Sequence, residues 1–126
     1  PVATGVNCEV SPVVEALVAE FAPLASARQQ SIESVVDVSA CWPLPAEVVE
    51  TVLANLLLNA IQHGGPGKIR LQLDGEGMRL VNPASATPEA SGFGLGLELV
   101  QRLLERFNWC LARGGVSEHV VRIGPS

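Results

Sequence analysis

A two-layer α+β sandwich, with helices laid on one face of a mixed β-sheet, is the fold this chain predicts. Its 126 residues are 48% hydrophobic and 17% charged, enough apolar surface for one core and too little length for two. Apolar residues recur at helical spacing in some segments and alternate at strand spacing in others. Helical stretches and hairpins interleave without an internal repeat or a dividing linker, so residues 1–126 read as one domain.

A short strand is expected around residues 6–10. Ser11 before Pro12 suits a helix start, because the missing N–H of proline is not needed in a first turn. Val13, Val14, Leu17, Val18 and Phe21 follow at helical spacing, and Pro23 is expected to kink or end that helix, although the Ala-rich continuation to Arg28 could carry it on. Residues 31–38, rich in Val and Ile, read as a strand. Pro43 and Pro45 then break the chain. Ala46 to His63 runs without Gly or Pro until Gly64, Gly65 and Pro66 stop it, which makes the clearest helix in the sequence.

Lys68 to Leu73 alternates, Met78 to Val81 is a second short run, and Asp74, Gly75, Glu76 and Gly77 between them spell a hairpin turn. Asn82 to Ser91 has no periodicity and carries two prolines, as a loop would. Gly92, Gly94 and Gly96 then lead into a helix over Leu97 to Phe107, where Leu99, Val100, Leu103, Leu104 and Phe107 mark an apolar stripe. Trp109 to Leu111 and His119 to Ile123 close the chain as strands around Gly114 and Gly115.

Eight Lys and Arg against thirteen Asp and Glu give a net charge of -5, which leaves no basic stripe for phosphate backbones. Nucleic acid and anionic membrane are therefore not expected as partners. Cys8, Cys41 and Cys110 are an odd set without a CxxC pair, two of them in or beside apolar runs, and are read as reduced thiols of a cytosolic protein. No uncharged apolar stretch reaches the roughly 18 residues of a membrane span, so no direct membrane contact is expected. Pro1, with neither an initiator Met nor a basic leader, points to a piece of something longer.

Two features carry chemistry. Asn55, Asn59 and His63 lie at i, i+4 and i+8 and so form one polar line along an otherwise Leu-rich helix. A buried amide without a partner costs about 1–3 kcal/mol, so the line either faces something polar, lies on an exposed face, or ties its amides to nearby backbone. Gly92, Gly94 and Gly96 let backbone approach a ligand closely, and the helix start behind them adds partial positive charge, as a phosphate cradle requires. The same glycines also suit a hinge. They do not make a dinucleotide fingerprint or a P-loop, since Leu97 stands where GxGxxG needs glycine and no GK[ST] follows.

Taken together, LANLLLNAIQHG resembles the N box, and GFGLGLELV the G2 box, of sensor histidine kinases in the GHKL ATPase superfamily. The order of elements follows the family over nearly the whole chain, which is thus identified as resembling the catalytic, ATP-binding domain of a bacterial two-component histidine kinase. The resemblance implies the Bergerat fold, about five strands of mixed sheet covered by about three helices, with ATP and Mg²⁺ bound. Asn59 falls where the family coordinates Mg²⁺, a role that suits an amide oxygen. Asn55 falls where hydrolytic members hold a Glu that activates water. An amide cannot act as that base, which fits a protein histidine as phosphoryl acceptor and argues against gyrase, chaperone or mismatch-repair ATPases. His63 matches a position near the nucleotide and reads equally as a helix-end histidine. Gly94, Leu95, Gly96 and Leu97, with Gly92 ahead of them, match the segment whose amides meet the phosphates.

Three departures stand out. The family's DxGxG carries an Asp for the adenine amino group; here Asn82 takes that place, without the glycines, and offers a neutral amide oxygen. The DGEG at Asp74 has glycines at 75 and 77 where the motif wants 76 and 78, and reads as a turn. Gln62 replaces a common Lys, and nine residues without Arg or Lys separate Asn82 from Gly92, with no F box. Mg²⁺ and backbone amides are then left to balance most of the triphosphate charge, which implies modest affinity and a strong metal requirement.

The resemblance implies transfer of the γ-phosphate of Mg-ATP to a histidine on a separate dimerisation domain of the same protein, and onward signalling to a response regulator receiver domain. Catalysis would rest on positioning and electrostatics, and the chain alone would phosphorylate little. A cytoplasmic domain of an inner-membrane sensor is the corresponding placement. The rival reading is a degenerate module of the same fold that senses nucleotide or binds protein without kinase activity. An anti-sigma serine kinase would prefer Glu at position 55.

Overall fold

The computed structural model describes residues 7–83, 94–114 and 118–126. In chain order the elements are β1 (Cys8–Glu9), α1 (Val10–Ala27), β2 (Gln30–Val36), β3 (Cys41–Trp42), α2 (Ala46–His63), β4 (Gly67–Asp74), β5 (Gly77–Pro83), α3 (Gly94–Glu105), β6 (Trp109–Gly114) and β7 (Glu118–Pro125). A five-stranded sheet runs β2-β4-β5-β7-β6, parallel at β2·β4 and antiparallel elsewhere. β1 and β3 form a small antiparallel ribbon beside it. Three helices on a mixed sheet are the α+β sandwich that the sequence pattern predicts, and α2 has the predicted bounds.

The core lies between the helices and one face of this sheet. β4 alternates, burying Ile69, Leu71 and Leu73, and the last two meet Val14 and Leu17 of α1 and Leu53 and Leu57 of α2 across a small apolar void. α3 enters through Leu97, Val100 and Leu104, spaced one and two turns apart. Leu99, expected in that stripe, is instead 57% exposed, because it points away from the 97-100-104 face.

Several boundaries differ from expectation for local reasons. α1 begins at Val10 rather than after Ser11, since β1 delivers the chain directly and Val10 N–H donates to Ala40 O at 3.3 Å. It also continues through Pro23 to Ala27; Pro23 and Ala19 are both exposed, which places the carbonyl that proline leaves unbonded on the solvent side of the helix. β2 stops at Val36 because Asp37 Oδ1 accepts from Ser39 N (3.0 Å) and Ser39 Oγ (2.7 Å), which turns the chain and holds the Asp37 carboxyl below its ordinary pKa. β5 runs through Asn82 and Pro83, which the sequence assigned to a loop; the remainder of that loop, Gly92 and the lid lie outside the described residues. Gly94 and Gly96 are in the first turn of α3 rather than ahead of it.

Of the thiols expected in apolar surroundings only Cys8 is buried, and all three are free. Strand alternation explains it: Trp42 and Trp109 take the inward positions, so Cys41 and Cys110 beside them face out. Burial, with Cys41 and two glutamates nearby, pushes the Cys8 thiol pKa up. α1 is long and apolar enough to cross a membrane by composition alone, yet Val14, Leu17, Phe21 and Ala25 are packed into the core and Glu15 and Glu20 face out.

Candidate functional site

The strand registers give the sheet two distinct ends. Asp74, Gly77, Trp109 and Pro125 share one; Gln30, Gly67, Pro83 and Glu118 share the other. α2 runs from beside β3 toward the second end. α3 must run the opposite way, because its C-terminus leads through a short turn into Trp109. A 12-residue helix is about 18 Å long, so its glycine-rich N-terminus is returned to the same end as the C-terminus of α2. Topology thereby brings the two features of the sequence to one end of the molecule.

A set of buried side-chain amides builds the α2 terminus. A helix ends with unpaired carbonyls, which need donors if water is excluded. Gln30, 5% exposed, donates its Nε2 to Ile61 O (3.2 Å), Gly64 O (3.3 Å) and Gly65 O (3.2 Å). Asn82, 3% exposed, donates its Nδ2 to Ala60 O (3.4 Å) and Pro83 O (3.3 Å), and Arg28 Nη2 donates to Gln62 O (3.0 Å). Backbone bonds Gly64 N–H to Ala60 O and Gly65 N–H to Pro83 O complete the clamp. Gly64 is required by close approach: a Cβ there would collide with the Asn82 amide and the Ala60 carbonyl.

The predicted site residues fall into distinct places. Asn59 is 9% exposed and its Nδ2 is buried without a hydrogen-bond partner among the described residues. Asn82 reaches Ala60, the residue after Asn59, with its nitrogen aimed at carbonyls and its oxygen left as the acceptor. His63 is half-buried in the last turn, and Gln62 is exposed, its carbonyl tied to Arg28. Asn55 stands one turn before Asn59. Its Nδ2 donates to Thr51 O at 2.7 Å, the local tie that an Asn in a helix commonly makes, and it lines a groove with Leu17 and Glu20 of α1. Gly94, Leu95 and Gly96 open α3, and the Leu97 side chain is buried in the core.

Gln30 and Arg28 were not legible as site residues. A Gln opening a strand and an Arg in a turn are ordinary in sequence; only the fold shows that they cap a helix more than thirty residues away.

The site's chemistry is that of amides. Among the described residues no three His, Cys, Asp or Glu side chains cluster as a metal site. Asn59 carries an amide oxygen, the hard type of ligand that a divalent cation prefers, and a buried nitrogen with no hydrogen-bond partner among the described residues, a donor suited to meet an acceptor. The α2 C-terminus favours a cation and the α3 N-terminus an anion.

No protein-family model and no curated protein matches the sequence. Solved structures do share the fold. The cytoplasmic segment of the histidine kinase QseC superposes with a TM-score of 0.79 at 14% identity, over 95% of this chain and 76% of that one. The catalytic domain of the histidine kinase ThkA, nucleotide-free, gives 0.76 at 16% identity over 93% of each chain. Full-length ShkA, solved with AMPPNP, gives 0.65 at 20% identity over 94% of this chain and 31% of that one. The chain has the fold of histidine kinase catalytic domains.

Proposed function

We propose that this chain is the nucleotide-binding catalytic domain of a sensor histidine kinase, which presents the γ-phosphate of Mg-ATP to a histidine on another domain of the same protein. The observation that carries the reading is Asn59, a buried amide whose nitrogen has no hydrogen-bond partner among the described residues, on the helix of an N-box-like segment in this fold. The binding of AMPPNP by ShkA, a protein of the same fold, supports the nucleotide assignment.

In this reading Asn59 holds the metal through its amide oxygen, and Asn55 offers a second oxygen a turn away. When bound, Mg²⁺ supplies charge compensation to the phosphates. Gly94, Leu95, Gly96 and Leu97 present backbone N–H groups at the helix start to the phosphates, with Gly92 leading in. Asn82 accepts from the base through its oxygen, while Gln62 and His63 border the nucleotide. Asn55 is no general base, so the γ-phosphate is held for an imidazole instead of being given to water. Partners are the dimerisation and phosphoacceptor domain and then a receiver domain, with this domain in the cytoplasm and the parent anchored in the inner membrane.

Calorimetric titration with AMPPNP, with and without Mg²⁺, tests the reading. Micromolar, metal-dependent binding is expected, and Asn59→Ala should weaken it about tenfold or more, roughly the 1.4 kcal/mol of one lost charge-assisted contact. Absence of binding, or equally tight binding in EDTA, overturns it. Binding without phosphotransfer by the full cytoplasmic region would leave the nucleotide-sensing alternative.

A further inference from the structure

β2 is an outer strand of the five-stranded sheet, and one side of its backbone faces away from β4. Gln29 C=O accepts from Gly67 N–H at 3.1 Å and Asp37 N–H donates to Leu73 O at 3.0 Å, so the odd-numbered residues from 29 to 37 turn their backbone groups toward β4. The N–H and C=O groups of Ile32, Ser34 and Val36 point the other way, off the edge of the sheet. No backbone group among the described residues bonds to them. Natural sheets blunt such an edge with lysine, proline or a bulge. β2 has none of these: its register with β4 is continuous over all 7 residues. Its single charge, Glu33, is engaged from the β4 side, at 3.3 Å by Lys68 and 3.9 Å by Arg70.

The same edge is apolar. Val35 is 61% exposed and Val38, just beyond the strand, 83%, so two of the four large hydrophobic side chains left exposed among the described residues stand together here. Ile32 and Val36 face the core side yet are only half-buried, whereas their register partners on β4, Ile69 and Leu73, are buried. A strand laid along this edge would cover both. The opposite edge, β6, instead carries the exposed cation Arg113.

We infer that this edge pairs with the same edge of a second copy, β2 antiparallel to β2 about a two-fold axis at Ser34, which joins two sheets into one. The residues of β2 select both the occupant and the register. Bonded pairs must join residues that face the edge, so the axis falls on a residue and not between two. An axis at Glu33 sets that carboxylate against its own copy, and one at Val35 sets Glu33 against Asp37; like charges directly opposite destabilise a ladder. Axes at Ile32 or Val36 run the pairing off the strand, into the positive-φ turn at Gln29 or the turn that Asp37 makes with Ser39. An axis at Ser34 uses the whole strand and opposes no like charges. Ser34 then meets Ser34, Ile32 meets Val36 on the core side with two hydrogen bonds per pair, and Glu33 meets Val35 on the outer side. A two-fold contact has to be self-complementary, and β2 is so about its own centre. The interface is short, which places the dimer among weak associations. None of the residues assigned to the nucleotide lies on β2, so the contact is independent of that reading.

Sedimentation velocity on the whole chain at low salt, up to about 1 mM, tests the pairing, and a monomer–dimer equilibrium is expected. Ser34→Pro removes an edge-facing N–H without touching a bond to β4, so it should abolish the dimer while circular dichroism reports the fold retained. Val35→Lys and Val35→Glu read the register and decide the matter even where the proline variant does not fold. The first sets a cation opposite Glu33 of the second copy and should leave the dimer as tight or tighter; the second sets a carboxylate there and should weaken it. Because the two-fold repeats the pair, their dimer affinities should differ about tenfold or more. Leu99→Lys and Leu99→Glu, at an exposed position of α3, change net charge equally and should differ little. Four results overturn the proposal: a chain that stays monomeric at about 1 mM; association that persists in a folded Ser34→Pro variant; Val35 variants that associate alike; or Leu99 variants that differ as much as the Val35 ones.

Discussion

The two ends of the sheet are closed by opposite chemistry. At the hairpin end Trp42, fully buried, packs on Trp109 with ring centroids 5.1 Å apart and planes tilted by 50°, and its indole N–H donates to Asp74 O at 2.7 Å. At the other end Gln30 and Asn82 fill the interior with amides, and two amide atoms there, Gln30 Oε1 and Asn59 Nδ2, are buried without a hydrogen-bond partner among the described residues. Aromatic burial with one satisfied polar atom stabilises and asks for nothing more. Buried amides give much less in return for their desolvation, and one left unpartnered is a net cost. The first end holds the fold together. The second has the pattern expected where stability is traded for a binding site.

The contrast can be broken experimentally, beginning with the aromatic end. Trp42→Ala should cost about 3–5 kcal/mol in urea denaturation, as large-to-small changes in a packed core do. A loss smaller than that of any amide variant would mean that the hairpin end is not the stabilising one.

Asn82→Asp, which restores the residue type of the family motif, is expected to destabilise by about 1–3 kcal/mol, because a carboxylate oxygen would then face the carbonyls of Ala60 and Pro83. Tighter nucleotide binding without a stability loss would show that these two contacts do not constrain the site. Asn59→Leu should by contrast be neutral or stabilising by about 1 kcal/mol in the same denaturation assay, since it removes an unsatisfied amide at similar volume. A clear loss of stability would mean that the amide is satisfied in the folded chain.

Smaller effects come from titrating groups. Cys8 has a raised pKa, so the folded state keeps its proton where the unfolded state loses it; stability present below the ordinary thiol value declines as pH rises above it. A maleimide at pH 8 should label Cys41 and Cys110 and spare Cys8 until the protein unfolds, as mass spectrometry would show. Asp37 is shifted the other way, so its small contribution is present above the usual carboxylate range and fades as pH falls through the folded value. Asp37→Asn should flatten an acid melting curve slightly.

Much of the architecture was legible because single side chains announce it. The bounds of α2 follow from Pro45 and the Gly64–Gly65–Pro66 stop, and β4 from its alternation. Pro23 left the end of α1 open between a stop there and an Ala-rich continuation, because the penalty for a helical proline depends on whether water reaches the freed carbonyl, which is a property of the packed helix. The Asn55–Asn59–His63 line was visible as spacing, yet its members meet different surroundings: one tied to Thr51 O, one buried with an unpaired nitrogen, one half-exposed.

The sequence by itself determined most of the secondary elements, though not β3, together with the α+β class and the polar line on α2, because periodicity and Gly or Pro punctuation act over a few residues. Only the tertiary structure decided that Arg28, Gln30 and Asn82 cap that helix, and that cations at 68, 70, 79 and 122 share one sheet face in a chain of negative net charge. The reason is physical: hydrogen-bond satisfaction and charge proximity depend on distances in space, and strand order, which no local pattern encodes, sets those distances.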